Sequence, residues 1–364
     1  MSKSKKTTGA TALKIIVILA AVILTAVLAL ILSFVISSKG KVKPVTDNDG
    51  NQIAGSISEK CFVEINGFEM GMFIRSADAE NPVLLFLHGG PGMPEYFLEE
   101  KYPTGLEKYF TVVYADQRGA GLSYSDDIPA ETMNIEQLAD DTAVLTEYLK
   151  ERFGKEKIYL MGHSWGSAVG IMTAHKYPEL YYAYIGMGQI ANDELNSQMN
   201  YEYLVNYFTE KGDNAMVRKI NKYKTDDGWN APGNVVEQIL CKAGAATTRE
   251  CRSDALDIFL PIMWNSEYTF GEKCNIWLGK MSSAKTQLMQ DRYIDFMNVY
   301  TEFELPIYFF SGAYDYTVNH ELSAMYLDKI TAPDKGFYLF EDSAHSPLFE
   351  EPEKAVKILL DICK

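Results

Sequence analysis

Five residues in the first half of the chain have the types and spacing of a serine nucleophile on a sharp turn. Residues 162–166 read Gly-His-Ser-Trp-Gly, follow the short apolar run Ile158–Met161 and open a stretch with helical character. A serine hydroxyl is a weak nucleophile, so it must be exposed on a tight turn beside a general base. Glycines on either side allow that turn without Cβ clashes. A strand before and a helix after are the context that this G-x-S-x-G pattern requires, and they predict Ser164 as a nucleophile.

The base that activates this serine must be one of the five histidines of the chain. His345 follows the last predicted strand, where the chain order Ser…Asp…His places the base of such a site. Asp315 lies between the two, after the apolar run Ile307–Phe310, and would hold the imidazole in the required tautomer and stabilise the imidazolium. The alternative for His345 is an ordinary surface-loop histidine. The pattern favours a catalytic Ser164, Asp315 and His345.

A negatively charged oxygen that develops during attack by Ser164 needs backbone N–H donors. The helix start after the serine offers the N–H of Trp165 and a partial positive charge. The second donor is expected from residues 88–92 (His-Gly-Gly-Pro-Gly), where glycines let the backbone approach a substrate carbonyl closely. We predict that the oxyanion hole uses Trp165 and either Gly89 or Gly90. A merely structural turn is the alternative for this loop.

The elements that must position these residues alternate as short apolar runs and longer helix-like stretches. That alternation indicates βαβ units and a parallel sheet. A hairpin around Asn66-Gly67 precedes them. The predicted strands are Val83–Leu87, Thr111–Ala115, Ile158–Met161, Tyr184–Met187, Ile307–Phe310 and Phe337–Phe340, and the predicted helices include Asn134–Phe153, Trp165–Tyr177 and Pro352–Cys363. Between residues 189 and 304 the strand rhythm disappears, which indicates a helical cap inserted between two strands.

The N-terminal region contains an almost unbroken apolar run over residues 15–36. A helix of that length spans a hydrocarbon core of about 30 Å. A cleaved signal peptide is the competing interpretation, but its apolar stretch is shorter and ends in small residues. We predict a single-pass anchor in the cell membrane, followed by a polar linker. A slight excess of lysines before the run favours a cytoplasmic N-terminus and a catalytic domain outside the cytoplasm.

The charge of the chain is distributed unevenly. Residues 1–43 contain seven lysines and no acids. The rest of the chain is therefore more negatively charged than the net charge of −15 for the whole chain indicates. A body this acidic repels nucleic acid, which is therefore excluded as a partner. The five cysteines show no metal-ligand spacing, and free buried thiols are expected, with one bridge among Cys241, Cys251 and Cys274 as the alternative. The sequence carries no signal for an oligomeric state.

Three motifs together resemble the prolyl aminopeptidase (proline iminopeptidase) family of α/β-hydrolases. They are residues 88–92, residues 116–123 (Asp-Gln-Arg-Gly-Ala-Gly-Leu-Ser) and residues 162–167. The resemblance implies a mostly parallel eight-stranded sheet flanked by helices, an inserted helical cap, no metal and no organic cofactor. It also implies cap acids that hold the substrate's free ammonium, and Asp193, Glu194 and Glu202 are the candidates because they open the insertion.

The leading hypothesis is therefore a membrane-anchored serine hydrolase that releases N-terminal residues, proline among them, from small peptides through an acyl-enzyme. A carboxylesterase or a hydrolase of lipid-like esters and amides is the first alternative. A tethered binding protein without activity is the second. The predicted organisation is a basic tail (1–14), the anchor (15–36), a linker (37–59), the first part of the core (60–188), the cap (189–304) and the second part of the core (305–364).

Overall fold

A computed structural model describes residues 3–225 and 228–363, with side chains from Leu13 onward. Its centre is an eight-stranded sheet in the order β1-β2-β4-β3-β5-β6-β9-β10. The β1–β2 and β2–β4 pairs are antiparallel, and the other five pairs are parallel. The strands are β1 (Ile57–Ile65), β2 (Phe68–Ser76), β3 (Val83–Leu87), β4 (Thr111–Ala115), β5 (Ile158–His163), β6 (Tyr181–Met187), β7 (Lys224–Thr225), β8 (Gly228–Trp229), β9 (Ile307–Gly312) and β10 (Lys335–Phe340).

Helices cover both faces of this sheet and build the insertion between β6 and β9. They are α1 (Lys3–Ser37), α2 (Tyr96–Lys101), α3 (Ile135–Phe153), α4 (Trp165–Lys176), α5 (Asp193–Glu210), α6 (Asn214–Asn221), α7 (Gly233–Ala243), α8 (Leu260–Trp264), α9 (Phe270–Ser283), α10 (Leu288–Asp291), α11 (Phe296–Val299), α12 (His320–Lys329), α13 (Pro347–Glu350) and α14 (Pro352–Ile362). The architecture predicted from the sequence, an α/β-hydrolase fold with a mainly parallel eight-stranded sheet, is confirmed.

Local sequence signals account for the elements that were predicted most closely. The side chain of Asn134 accepts the N–H of Gln137 at the start of α3, and Gly154 ends that helix in the left-handed conformation. An asparagine cap and a terminal glycine are the expected boundaries of a helix. The strands β3, β4 and β5 are buried along their whole length because helices cover the sheet on both faces.

The inserted segment has a small hydrophobic core of its own. Leu204, Phe208, Trp229, Ile239 and Leu240 are buried together within it. A disulfide joins Cys241 at the end of α7 to Cys251 in the loop that follows, with 5.1 Å between the Cα atoms. The expectation of free thiols is therefore wrong for these two cysteines, because the turn after α7 returns the chain to the helix end. Cys61, Cys274 and Cys363 are free.

The N-terminal helix extends away from the rest of the molecule. Its segment Leu13–Ser37 is long and apolar enough to cross a membrane by length and composition, and none of the most apolar part is buried against the protein. The chain that follows lies on the body formed by the sheet and the inserted segment. Val45 is buried, and the N–H of Lys43 donates to a side-chain oxygen of Glu267 over 2.6 Å. Residues predicted as a linker thus contact both the core and the cap.

Candidate active site

The serine singled out by the sequence lies on a strained turn between β5 and α4. Ser164 has φ 53° and ψ −121°, a backbone conformation that L-residues rarely adopt. The flanking glycines are required by close packing. A Cβ on Gly162 would lie 2.3 Å from the carbonyl oxygen of Gly166, and one on Gly166 would lie 2.1 Å from that of Leu87. The turn is therefore held by its surroundings, and it presents Ser164 at the carboxyl edge of the sheet.

The predicted acid and base lie side by side at the same edge. Asp315 is fully buried, and its Oδ1 accepts the N–H groups of Thr317 and Val318 over 3.0 and 2.9 Å. Its Oδ2 lies 2.8 Å from Nδ1 of His345. An ionised carboxylate only accepts hydrogen bonds, so Nδ1 carries the proton and Nε2 is left as the acceptor. That Nε2 is buried and has no hydrogen-bond partner among the described residues.

One cavity of about 580 Å³ is lined by both Ser164 and His345. Much of its wall is apolar, with Met93, Phe97, Ile190 and Val318 among the lining residues. The free Nε2 of His345 and the serine therefore meet at a space large enough for a small ligand. This arrangement can transfer a proton from a serine hydroxyl to an imidazole whose other nitrogen is fixed by a carboxylate.

The loop predicted to complete the oxyanion hole lies against Ser164. A Cβ on Gly89 would come within 3.1 Å of the Cβ of Ser164, and Gly90 has φ +124°. His88 anchors this loop, since its Nε2 accepts the N–H of Gln117 over 3.0 Å. Burial lowers the pKa of His88, which agrees with a neutral ring in a structural role. Glycines are thus needed here for both conformation and approach to the serine.

A second histidine pairs with an acid that sequence reasoning missed. His163 is buried, and its Nδ1 lies 2.8 Å from Oε2 of Glu95 while its Nε2 lies 2.8 Å from the carbonyl oxygen of His345. Burial opposes charge on the His163 ring, but the Glu95 carboxylate and both hydrogen bonds outweigh it and raise the pKa. Both ring nitrogens of His163 thus face oxygen atoms, one of Glu95 and one of the His345 backbone, which agrees with the raised pKa of the ring. Glu95 also lines the cavity.

The three acids proposed for a substrate ammonium are not brought together. Asp193 lines the cavity, but its Oδ1 pairs with a guanidinium nitrogen of Arg292 over 2.8 Å. Glu194 and Glu202 are exposed on α5, outside the cavity lining. The cap instead directs two other acids, Glu237 and Asp254, into the cavity wall.

Glu237 is in an unfavourable setting for a lone carboxylate. Burial raises its pKa, and the nearby charge of Asp254 raises it further. The hydroxyl of Thr247 donates to Glu237 Oε1 over 3.3 Å. Glu237 lies one turn before Cys241, and Asp254 lies three residues after Cys251, so the disulfide ties together the two segments that carry these acids. Nothing in the spacing of Glu237 and Asp254 along the chain predicts that both would line one cavity.

Comparison with known proteins places the chain in a family. Residues 82–225 match the family model of the alpha/beta hydrolase fold. The chain is 32% identical over 296 residues to the probable aminopeptidase YbaC of Bacillus subtilis (strain 168), which covers 80% of this chain and 91% of that protein. It is 26% identical to the proline iminopeptidase of Clostridioides difficile (strain 630), over 79% of this chain and 90% of that protein.

A solved structure shows the same fold. The crystal structure of proline iminopeptidase from Mycobacterium smegmatis superposes with a TM-score of 0.60 at 18% identity, covering 83% of this chain and 97% of that one. The match to the Bacillus protein spans 80% of this chain, so it must include part of the cap as well as the core.

Proposed function

Since this chain belongs to the α/β-hydrolase family and is similar to proline iminopeptidases, we propose that it is a serine aminopeptidase that releases the N-terminal residue, proline among others, from short peptides. The observation that carries the proposal is the hydrogen bond between Asp315 and His345. It leaves the Nε2 of His345 without a hydrogen-bond partner among the described residues, and His345 lines the cavity that contains Ser164. The names of the relatives supply the substrate class.

In the proposed reaction, Nε2 of His345 takes the hydroxyl proton of Ser164 as Oγ attacks the scissile carbonyl carbon. The N–H groups of Trp165 and of Gly89 or Gly90 stabilise the resulting oxyanion. The C–N bond then breaks, and the imidazolium gives its proton to the leaving amine. Water then attacks the acyl carbon while His345 accepts a proton from it, the C–Oγ bond breaks to release the amino acid, and the His345 imidazolium returns its proton to Oγ of Ser164.

An aminopeptidase must also recognise a free ammonium next to the scissile carbonyl. Glu237 and Asp254 supply acidic groups to the cavity wall, and burial together with the charge of Asp254 raises the pKa of Glu237. A substrate ammonium would compensate the negative charge of these acids. Asp193 is a poorer candidate because Arg292 already pairs with it. The proposal therefore assigns the ammonium to Glu237 and Asp254.

A panel of arylamides tests the function directly. Purified full-length protein should cleave prolyl and other aminoacyl arylamides and spare their N-acetylated forms, and Ser164→Ala should abolish the activity. Robust cleavage of short acyl esters that depends on Ser164, with no cleavage of any aminoacyl amide, would instead establish the esterase alternative. The apolar wall of the cavity favours that second candidate.

Labelling with a fluorophosphonate probe separates both enzymes from a silent binding protein. The wild type should label strongly and Ser164→Ala should not. Equal, weak labelling of both would show that the serine is not activated.

We also propose that α1 anchors the enzyme in the cell membrane with the catalytic domain outside the cytoplasm. The length and apolar character of Leu13–Ser37 support the anchor. The Cys241–Cys251 disulfide supports an oxidising compartment, since such bonds are rare in the cytosol. Retention of the full-length chain in carbonate-washed membranes, and its digestion by protease added outside intact cells, are the expected results. A shortened chain in the medium would indicate a cleaved signal peptide.

A further inference from the structure

One helical segment of the cap carries large apolar side chains on its outer side. Residues Ala255–Trp264 form an apolar helix of ten residues. It begins with a π-helical turn, Ala255–Phe259, and continues directly into α8. Leu256, Phe259 and Trp264 on it are 44%, 37% and 48% exposed. We refer to these three side chains as the cap patch. Three large apolar groups exposed together on one short segment indicate a contact surface.

The cap patch is continuous with the end of the anchor helix. Phe34 in the last turns of α1 is buried against it, edge-on to the rings of Phe259 and Trp264 at centroid distances of 6.2 and 5.5 Å. The indole N–H of Trp264 donates to the Ser33 hydroxyl over 3.4 Å. On the same turns of α1, Ile36 is 68% exposed. The apolar surface of the anchor therefore passes onto the cap without interruption.

Hydrogen bonds fix the chain where it leaves the anchor. The ammonium of Lys273 donates to the Ser38 hydroxyl over 2.8 Å and to the carbonyl of Met263, the residue before Trp264, over 2.7 Å. Two residues further on, the N–H of Gly40 donates to the carbonyl of Ser266 over 3.1 Å. The cap is thus held at the level of the last turns of α1, instead of moving on a flexible tether.

We propose that the cap patch lies in the interface of the bilayer that α1 spans, so that the cap rests on the membrane. This inference rests on the proposed membrane anchoring. Tryptophan prefers the boundary between headgroups and acyl chains, and an apolar helical face beside it adds buried area. Lys39 and Lys41, exposed just after the span, suit the headgroup layer.

The position of the patch bears on how substrates arrive. Ile258, within the same helical segment, lines the cavity. Asp254, the residue directly before this segment, also lines it. Contact between the cap patch and lipid would therefore place this side of the cavity next to the membrane surface. Peptides with an apolar portion, which concentrate at that surface, are the substrate class that this arrangement favours.

Tryptophan fluorescence tests the contact because the anchor itself contains no tryptophan. The four tryptophans are Trp165, Trp229, Trp264 and Trp277. Full-length protein is reconstituted into phosphatidylcholine vesicles with bromine atoms either near the headgroups or near the acyl-chain ends. We expect the shallow bromines to quench part of the emission, the deep bromines to quench less, and Trp264→Phe to lose most of the quenched component. Trp229→Phe, which removes a buried indole, should keep it.

A charge placed in the cap patch provides a second measurement. Leu256→Glu should reduce the quenching of Trp264, whereas Leu339→Glu, at a 36% exposed leucine on the edge strand β10, should not. Protein that floats with the vesicles but shows no quenching of Trp264 would overturn the inference and leave the anchoring intact. Protein that fails to float would overturn the anchoring and the membrane contact together, while the arylamide activity would still stand.

Discussion

The rings of His163 and His345 lie 4.7 Å apart between centroids, and Nε2–H of His163 donates to the carbonyl oxygen of His345 over 2.8 Å. On its other side His163 pairs with Glu95. The proposed base is thus held through its side chain by Asp315 and through its backbone by the buried ring of His163. Glu95 acts through His163, which makes it a positioning residue.

Glu95→Gln should therefore alter the activity without unfolding the protein. The amide removes the negative charge that raises the pKa of His163, so burial will favour the neutral ring. If the weakened hydrogen bonds raise the activation free energy by about 1.4 kcal/mol, kcat/KM falls roughly tenfold. The measurement is the pH profile of kcat/KM, which should change shape. Glu100→Gln, on the helix α2 that begins directly after Glu95 and paired with Lys43, is the control and should keep the wild-type profile. An unchanged profile for Glu95→Gln would contradict the positioning role.

The backbone of Ser164 permits a prediction that separates strain from chemistry. Its φ of 53° favours glycine, whereas alanine keeps the steric conflict of a Cβ atom. Both Ser164→Ala and Ser164→Gly should lose activity by at least about 1,000-fold. Ser164→Gly should be the more stable of the two by about 1 kcal/mol in urea unfolding. A more stable alanine variant would show that the turn is not strained at this residue.

A buried acid next to the site makes the stability depend on pH. Burial raises the pKa of Asp116 to about 8, although its Oδ2 accepts the N–H of Leu122 over 2.7 Å. The folded protein therefore binds a proton that the unfolded chain releases near its ordinary pKa of 3.8. The free energy of unfolding should fall as the pH rises from about 4 to about 8, because the folded state then holds more protons.

Asp116→Asn isolates this contribution, since the amide resembles the protonated acid. Urea unfolding at pH 5, 7 and 9 should show a weaker decline for the variant than for the wild type. Asp257 supplies a control of opposite sign. Backbone hydrogen bonds from Arg252 and Ser253 outweigh partial burial and lower its pKa to about 2. Its contribution is present above the unfolded pKa and is lost only in acid, so Asp257→Asn should leave the decline between pH 5 and 9 in place.

The cap disulfide should matter for substrate affinity as well as for stability. A bridge that closes a loop of this size stabilises a protein by about 3 kcal/mol at most. Because Cys241 and Cys251 join the segments that carry Glu237 and Asp254, a Cys251→Ser variant should raise KM for aminoacyl arylamides. Turnover of acyl esters, which have no ammonium, should change little. Cys274→Ser removes a free thiol of the cap and serves as the matched control. An equal loss for both substrate types would point to general unfolding of the cap.

The core of the fold was predictable from the sequence because its signals are local, and the same signals place the three candidate residues after strands. Ser164, Asp315 and His345 follow strands of one parallel sheet, and the carboxyl ends of such strands share an edge. Strands β3 and β4 begin and end at the predicted residues. Both strands are buried throughout, so each appears in the sequence as one short apolar run between turns. The roles of the three residues in catalysis remain predictions until the serine is tested.

The cap was less accessible to sequence reasoning, for a physical reason. Helical periodicity shows which residues share a face, but not which face meets the cavity. Asp193 therefore looked free, although Arg292 pairs with it across 99 positions of the chain. Glu95 was missed because its partner His163 lies 68 positions away in a different motif. Long-range pairs of this kind are set by tertiary packing.

Glu237 provides the sharpest test of the proposed substrate class. Its carboxylate lines the cavity beside Asp254, and burial together with that neighbouring charge raises its pKa. Glu237→Gln keeps the size and removes the charge, so a substrate ammonium loses a partly buried ionic partner. A hydrogen bond between charged groups contributes about 1.5–3 kcal/mol to binding, so its loss corresponds to a rise in KM of roughly tenfold to a hundredfold.

The expected pattern distinguishes recognition from chemistry. Glu237→Gln should raise KM for prolyl arylamide while kcat changes little, and cleavage of acyl esters should remain at the wild-type level. Asp193→Asn, at the acid already paired with Arg292, should have a much smaller effect on KM. If Asp193→Asn raised KM and Glu237→Gln did not, the ammonium would bind at the start of α5. If neither variant affected KM for free amino substrates, the cavity would not select an N-terminal ammonium, and the esterase alternative would account better for a hydrolase with this cap.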